Sequence, residues 1–299
     1  MTETAAAHRS AAPALTLETH VLTWFITGSS RGFGRHTALE ALRRGDRVVA
    51  TARSLAALKD LEELGGERVL TAELDVTRPE QIDRAVALAG ERFGGVDVLL
   101  NNAGIGYFAA VEESEQAQVR RMMEINVHGL AAVTAAVLPG MRACRSGTVL
   151  NVSSVGGVRS FPAVGWYNAS KFAVEGLSEA LAQEVAPLGI RVVLIEPSGF
   201  ATDWAGDSAG EVAAHAVIAD YDGTAGAQRR AFREGAGREA GDPARAAVAI
   251  VDVAHDAAPP LRLPLGNFAY DGLLEKLDAV RADVASREAV SRGADRVAS

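Results

Sequence analysis

The sequence is poor in the features that mark several classes of protein. It holds one cysteine, Cys144, which excludes an intrachain disulfide framework and cysteine-rich metal sites; small-residue packing is its expected role. The six histidines fall in no His-x-x-x-His or comparable ligand spacing, so no metal site is expected. Basic runs and Lys/Arg stripes are missing, and the net charge is -8 with a pI near 5.4. Nucleic acid is therefore not an expected partner. No segment reaches the roughly 18 apolar residues of a membrane span, the longest candidate being 129–138, so no membrane association is expected. Residues 1–12 lack a basic stretch followed by an apolar core, the mark of a secretory leader, and the expected location is cytoplasmic. There is no internal repeat and no Pro- or Ser-rich linker. With 299 residues, 48% of them hydrophobic and 23% charged, one domain with an ample core is expected.

What is present is a regular alternation of strand-like and helix-like segments. Residues 1–20 read as a flexible extension. Residues 21–26 are a β-branched and aromatic run, the pattern of a buried strand. They lead into Thr27-Gly28-Ser29-Ser30-Arg31-Gly32-Phe33-Gly34 and a helical stretch to Arg44, which Gly45 ends. Strand, glycine-rich turn and helix form the opening unit of a dinucleotide-binding fold. Gly28 allows the tight turn, Gly32 a close backbone approach, and the helix N-terminus faces a pyrophosphate. The spacing is Gly-x-x-x-Gly-x-Gly rather than Gly-x-Gly-x-x-Gly.

Further strands are predicted over 46–53, 69–74, 96–100, 147–152 and 190–195, with helices over 54–64, 79–93, 115–138 and 167–188. This alternation predicts an α/β Rossmann fold, a doubly wound, mostly parallel seven-stranded sheet with helices on both faces. The seventh strand, 261–265, is expected at an edge because Pro264 removes a donor. Residues 203–241 break the pattern with Gly, Ala and charges, and are expected to form a substrate loop or lid. Helices over 242–253 and 272–290 follow; the Rossmann domain is placed at 21–275 and a C-terminal helical extension at 276–299.

Three features carry chemistry. Tyr167-Asn168-Ala169-Ser170-Lys171 opens a helix, so Tyr167 and Lys171 share a face one turn apart. A phenol ordinarily loses its proton only near pH 10. A nearby ammonium favours the phenolate, and the pair is expected to act as a tuned general acid/base. Taken alone, the spacing also fits a half-buried tyrosine beside a solvated lysine. Asn126 sits inside a predicted helix, where Asn is a poor residue; that fits a tolerated surface residue or a functional group. Ser153 and Ser154 emerge from the carboxyl end of a strand, where ligands bind in open parallel sheets.

Together these residues resemble the classical short-chain dehydrogenases/reductases, across roughly 21–270. The correspondence runs in order through TGSSRGFG at 27–34, Asp75, NNAG at 101–104, Asn126, Ser154, YNASK at 167–171 and PSGFAT at 197–202. The resemblance selects Ser154 over Ser153. It implies that Ser154 hydrogen-bonds a substrate oxygen, that Tyr167 passes the proton, that Lys171 binds the nicotinamide ribose and lowers the tyrosine's pKa, and that Asn126 holds a relay water. The candidate cofactor-binding residues are Gly28, Ser30, Arg31, Gly32, Phe33, Gly34, Arg53, Asp75, Val76, Asn102, Ala103, Gly104, Pro197, Gly199, Phe200 and Thr202, together with Tyr167 and Lys171. Ser198 departs from the family's usual Pro-Gly and is expected to narrow the nicotinamide pocket unless Gly199 compensates. Thr51, Ala52 and Arg53 place no carboxylate where one holds the ribose of NAD, so with Arg31 nearby the expected cofactor is NADP(H). The substrate is expected to be a fairly apolar ketone, aldehyde or alcohol, on a weaker likeness to 17β-hydroxysteroid- and retinol-dehydrogenase-like proteins. The resemblance also implies a homodimer or homotetramer. Competing readings are a catalytically silent NADP(H)-sensing module and an epimerase or dehydratase.

Overall fold

Thr23–Ile26 (β1), with the sequence TWFI, is buried along its whole length. In a strand, alternate residues leave opposite faces. Trp24 and Ile26 pack with one apolar layer and Phe25 with the other. That double burial is why the strand reads as a continuous apolar run. The computed structural model describes residues 21–206 and 208–296. The N-terminal extension of the sequence reading, residues 1–20, lies outside them.

The chain continues through Gly32–Arg43 (α1), Arg47–Ala52 (β2), Lys59–Gly65 (α2), Val69–Glu73 (β3), Pro79–Phe93 (α3) and Val98–Asn101 (β4). After Gly106–Phe108 (β5) come Gln116–Met123 (α4), a π-helical turn over Glu124–Gly129, and Leu130–Cys144 (α5). Gly147–Val152 (β6), Gly165–Val185 (α6) and Ile190–Pro197 (β7) follow. The last part holds Ala209–Glu211 (β8), Ala227–Gly235 (α7), Pro243–His255 (α8), Arg262–Leu265 (β9), Asn267–Ala285 (α9) and Glu288–Arg292 (α10).

Seven strands form one parallel sheet in the order β3-β2-β1-β4-β6-β7-β9. Its register sets Phe25 beside Val49 and Leu99. On one face those residues meet Ile82, Ala85 and Ala89 of α3 and Val133, Val137 and Met141 of α5. On the other, Trp24, Val48, Leu100 and Val193 meet Ala38 and Ala41 of α1 and Ile250 and Val251 of α8. Each fully buried large apolar side chain contributes about 1.5–3 kcal/mol, so the sheet holds its helices on both sides. β9 lies at the edge with Pro264 in it. The order reverses between β1 and β4, where a crevice opens at the carboxyl ends of the strands.

The structure corrects several expectations. The helix expected over 115–138 is interrupted by the π turn and continues past Pro139 to Cys144. Burial of Val133, Val137 and Met141 holds α5 together although Pro139 removes one ladder donor. The combined run Gln116–Cys144 is long and apolar enough to cross a membrane, contrary to the sequence reading. Its apolar face is spent on the sheet. α9 begins at Asn267, five residues before its expected start.

Residues 203–241 are more ordered than a loop. They contain β8, which pairs in parallel with β5, and α7. Arg229 of α7 reaches Glu113 at 3.4 Å and Glu211 at 3.0 Å. Glu113 also accepts from the amides of Ala110 and Ile218, both at 2.9 Å. Arg233 meets Glu211 at 2.9 Å and donates to the carbonyls of Ala205 and Gly206. The Glu113–Arg229 pair is almost fully buried, and removing one partner leaves an uncompensated charge. Arg229→Met is expected to cost about 3 kcal/mol of stability in urea unfolding; a loss below about 1 kcal/mol, the value of an exposed pair, contradicts this account.

Candidate active site

The crevice is built first by the glycine turn. Gly28 has φ +70, a conformation that side chains resist. A Cβ on Gly34 collides with the Gly28 carbonyl oxygen and the Asn102 amide, so α1 lies directly on the turn. Thr27 Oγ1 accepts from the amides of Asn102 (2.9 Å) and Ala103 (3.0 Å). Asn102 Nδ2 donates to the carbonyls of Thr27 (2.9 Å) and Gly28 (3.0 Å). α1 starts with no side-chain cap and no acidic residue in its first turn. Its first amides are therefore left for an anionic ligand.

A cavity of about 710 Å³ runs from this turn, within the range of small-molecule and cofactor sites. One end is walled by Arg53, Asp75 and Val76, the middle by Gly28, Ser30, Arg31, Gly32, Phe33, Asn102, Ala103 and Gly104. The far end holds Ser154, Tyr167 and Lys171; Pro197 and Gly199 also line the cavity, and Phe200 and Thr202 come back to the middle against Phe33 and Gly32. A long cleft with a glycine turn and an uncapped helix N-terminus fits an extended dinucleotide. Two residues expected at the site, Gly34 and Asn126, stand behind its wall.

Asn126 lies in the π turn and is 1% exposed. Its Oδ1 accepts from the Ile105 amide and its Nδ2 donates to the Ile105 carbonyl, both at 2.9 Å. Nδ2 also donates to Ser170 Oγ at 3.1 Å. The side chain thus clamps the strand leaving Asn102–Gly104 onto α6, and both of its amide hydrogens are committed. Behind it, Asn101 Nδ2 donates to Asn151 Oδ1 (2.9 Å), and Asn151 Nδ2 to Ser178 Oγ (2.8 Å). This ladder ties β4, β6 and α6 together.

At the reactive end, Ser154 Oγ accepts from the Gly156 amide at 2.9 Å, which fixes its rotamer and leaves its proton to donate. Lys171 is buried, and its Nζ donates to the Val152 carbonyl at 2.7 Å while standing 5.7 Å from the Tyr167 ring centre. Burial pushes the Tyr167 phenol up to about 12, with the Ser154 hydroxyl pulling the other way. Lysine was expected to bring the tyrosine down; in this structure desolvation dominates, and the ammonium is turned onto the Val152 carbonyl. Burial also brings Lys171 down to about 8, against the opposing charge of Glu175. A neutral phenol beside a hydroxyl donor is suited to giving a proton to a carbonyl oxygen.

At the opposite end, Asp75 feels a burial effect that raises its pKa. Hydrogen bonds from Thr77 and the charges of Arg53 and Arg78 outweigh it and hold the carboxyl below its ordinary value. Arg31 reaches Asp203 at 3.8 Å, a contact between exposed side chains. The Ser198 hydroxyl is turned toward Gly266, whose φ is +90, so it is Gly266 rather than Gly199 that makes room for the extra side chain.

An aromatic wall that no motif in the sequence marks completes the cavity. Phe161, Trp204, Phe232 and Phe268 line the reactive end, and the Trp204 ring centre is 4.8 Å from that of Tyr167. The signal was present: in a chain with 5% aromatics, Trp204 and Phe232 stand out within a Gly/Ala-rich stretch. Arg78 near Asp75 was also overlooked, because it reads as the ordinary residue before a helix-opening Pro79.

The family model described as short chain dehydrogenase matches residues 23–212. The chain belongs to the classical short-chain dehydrogenase/reductase family. This short-chain dehydrogenase is 42% identical over 249 residues to oxidoreductase BOA17 of Botryotinia fuckeliana, covering 83% of the chain and 90% of that protein. It is similar to a crystal structure of a short-chain dehydrogenase from Streptomyces avermitilis, with TM-score 0.86, 42% identity, and coverage of 93% and 100% of the two chains. It is also similar to an alcohol dehydrogenase of Thermococcus sibiricus complexed with 5-hydroxy-NADP, with TM-score 0.67, 26% identity and coverage of 82% and 96%. Among the described residues no group of three His, Cys, Asp or Glu is placed to hold a metal.

Asn126→Ala in this dehydrogenase unpairs both backbone groups of Ile105 and the Ser170 contact. The expected loss is about 3 kcal/mol, from buried groups that cost about 1–3 kcal/mol each when left unmade. Chemical denaturation reads it; a change within 0.5 kcal/mol means that Asn126 does not clamp the strand.

Proposed function

We propose that the protein is an NADP(H)-dependent oxidoreductase that interconverts a fairly apolar ketone or aldehyde with its alcohol. The observation that carries this reading is the meeting of Tyr167 and Ser154 at one end of a cavity whose other end presents Arg53. A bound nicotinamide nucleotide supplies or takes the hydride. Ser154, held by the Gly156 amide, donates to the substrate oxygen and orients it. Tyr167 gives that oxygen its proton in reduction and removes it in alcohol oxidation. Lys171 binds the ribose and, as an ammonium, favours the phenolate. Asn126 holds the Ile105 strand and α6 in register, so the relay water expected of it is bound by groups other than its committed amide hydrogens. Phe161, Trp204, Phe232 and Phe268 give the substrate an aromatic, poorly hydrated wall. Pairing through the helices that carry Asn126 and Tyr167, and a cytoplasmic location, belong to the same reading.

The cofactor choice rests on charge. Solved relatives with 26% and 27% identity hold 5-hydroxy-NADP in one case and NADH in another, so the family alone does not decide it. β2 ends in Thr51 and Ala52, and Arg53 follows at the cavity. Glu73 lies beside Ala52 in the register of β3, but Arg53 and Arg78 share its small pocket. A 2′-phosphate carries nearly two negative charges, and charge-assisted hydrogen bonds contribute about 1.5–3 kcal/mol each. Arg31 joins them after leaving Asp203, which costs little because both side chains are exposed.

Two experiments test the reading. Tyr167→Phe keeps the ring and its packing but is expected to lower turnover by about a hundredfold or more, with nucleotide affinity nearly unchanged; near wild-type turnover on a carbonyl and alcohol panel removes the tyrosine assignment. Arg53→Ala is expected to weaken NADPH about tenfold or more while changing NADH little, an effect that shrinks at high salt. An unchanged NADPH/NADH ratio in binding titrations contradicts the charge argument.

A further inference from the structure

Next to Lys171, inside the protein, lies a charged cluster that the reaction does not use directly. Glu175 is one helical turn beyond Lys171 on α6 and is 5% exposed. Its Oε1 accepts from Ser153 Oγ, and its Oε2 pairs with Arg262 of β9. Glu196 of β7, fully buried, pairs with the same guanidinium through Oε1, while its Oε2 has no partner. Arg262 also reaches Glu179. Gly157, three residues past Ser154, roofs the cluster: a Cβ there comes within 2.9 Å of Glu175 Oε1.

We propose that Glu175, fixed by Ser153 and by an Arg262 guanidinium that it shares with Glu196, is a positioning residue that keeps the buried Lys171 charged. The proposal rests on the role given to Lys171 above. Desolvation by itself drives a buried ammonium toward its neutral form, and a neutral amine neither draws the tyrosine toward phenolate nor presents three donors to a ribose. The Val152 carbonyl is a neutral partner. Around Lys171, the charged and titratable groups are Tyr167 and Glu175 on its own helix; Glu196 from β7, Arg262 from β9 and Glu179 act through Glu175. Among them Glu175 is the negative charge that opposes the effect of burial on the lysine. No ion pair within 4 Å joins the two, so the carboxylate acts through space in a poorly screened interior.

Arg262 joins the two buried carboxyl groups of the cluster. One guanidinium faces two buried carboxyl groups, and like charges so close do not both ionise easily. Glu175 accepts a further hydrogen bond from Ser153, whereas Glu196 Oε2 has no partner. Burial, and then the neighbouring Glu175, push Glu196 up to about 7, against the pull of Arg262. An ionised Glu196 adds a second negative charge behind Glu175, which further favours the ammonium.

The chain has three lysines, Lys59, Lys171 and Lys276, so ¹³Cε-lysine labelling gives three resonances that can be followed with pH in the protein without nucleotide. Lys171→Arg identifies the buried one. In Glu175→Gln the Lys171 midpoint is expected to fall by about one pH unit or more. In Glu196→Gln, which cannot ionise, a smaller fall of about half a unit is expected. Circular dichroism reports folding, and if Glu175→Gln does not fold, Glu196→Gln carries the test. A Lys171 midpoint unchanged in the folded variants overturns the proposal whatever the activity. NADPH titration at pH 6 and pH 8.5 separates it from the role of Lys171: Glu175→Gln is expected to lose about tenfold in affinity at pH 8.5, and less than twofold at pH 6, relative to wild type. A shifted midpoint with unchanged affinity at both pH values instead removes the ribose-binding reading and leaves the tuning by Glu175 standing.

Discussion

The structure depends on how two adjacent strand ends are stitched at the reversal of the sheet. β1 and β4 are neighbours that lead in opposite directions through the sheet order, so their carboxyl ends diverge and leave a crevice. Such a crevice exposes backbone donors and acceptors that must find partners. Thr27 and Asn102 supply them reciprocally: the threonine oxygen takes two amides from 102–103, and the Asn102 amide group caps the carbonyls of Thr27 and Gly28. With that stitch made, α1 must begin against Gly28, and its free amides open onto the crevice.

The reactive end follows from a second line of ties. Asn101, Asn151 and Ser178 link β4, β6 and α6 through buried hydrogen bonds, and Asn126 links the same helix to Ile105. These networks hold Tyr167 and Lys171 over the end of β6, where Ser154 emerges. Satisfied polar networks in an interior specify one arrangement, because any slip leaves groups unpaired. The π turn belongs to this logic, since Asn126 reaches both Ile105 and Ser170 from within it.

Much of this was legible in the sequence because the signals are local. Val48–Ala52, Leu99–Leu100 and Val149–Val152 read as strands because burial on both faces makes them mostly apolar, with Thr51 and Asn151 the polar exceptions. Pro264 placed its strand at the edge because the ring removes a ladder donor. The glycine turn and Tyr167-x-x-x-Lys171 announce themselves by spacing. What stayed hidden depends on pairs distant in sequence. Arg229 reads as a surface arginine until Glu113 is brought against it. Gly266 has no evident purpose until Ser198 is turned toward it. Likewise, residues 203–241 look loose because their composition is small and charged, although ion pairs and the β5–β8 pairing order them. The effect of burial on Tyr167 was also out of reach, since a tyrosine–lysine spacing shows proximity along a helix but not the depth of the site.

The proposed function requires one cavity to hold a nucleotide and to carry a carbonyl oxygen to Tyr167. A crystal structure of the protein soaked with NADPH tests this most directly. The expected result is the pyrophosphate at the first amides of α1, the 2′-phosphate against Arg53, and the nicotinamide facing Ser154 and Tyr167. A nucleotide bound in another orientation, with its nicotinamide away from Tyr167 or its 2′-phosphate away from Arg53, contradicts it.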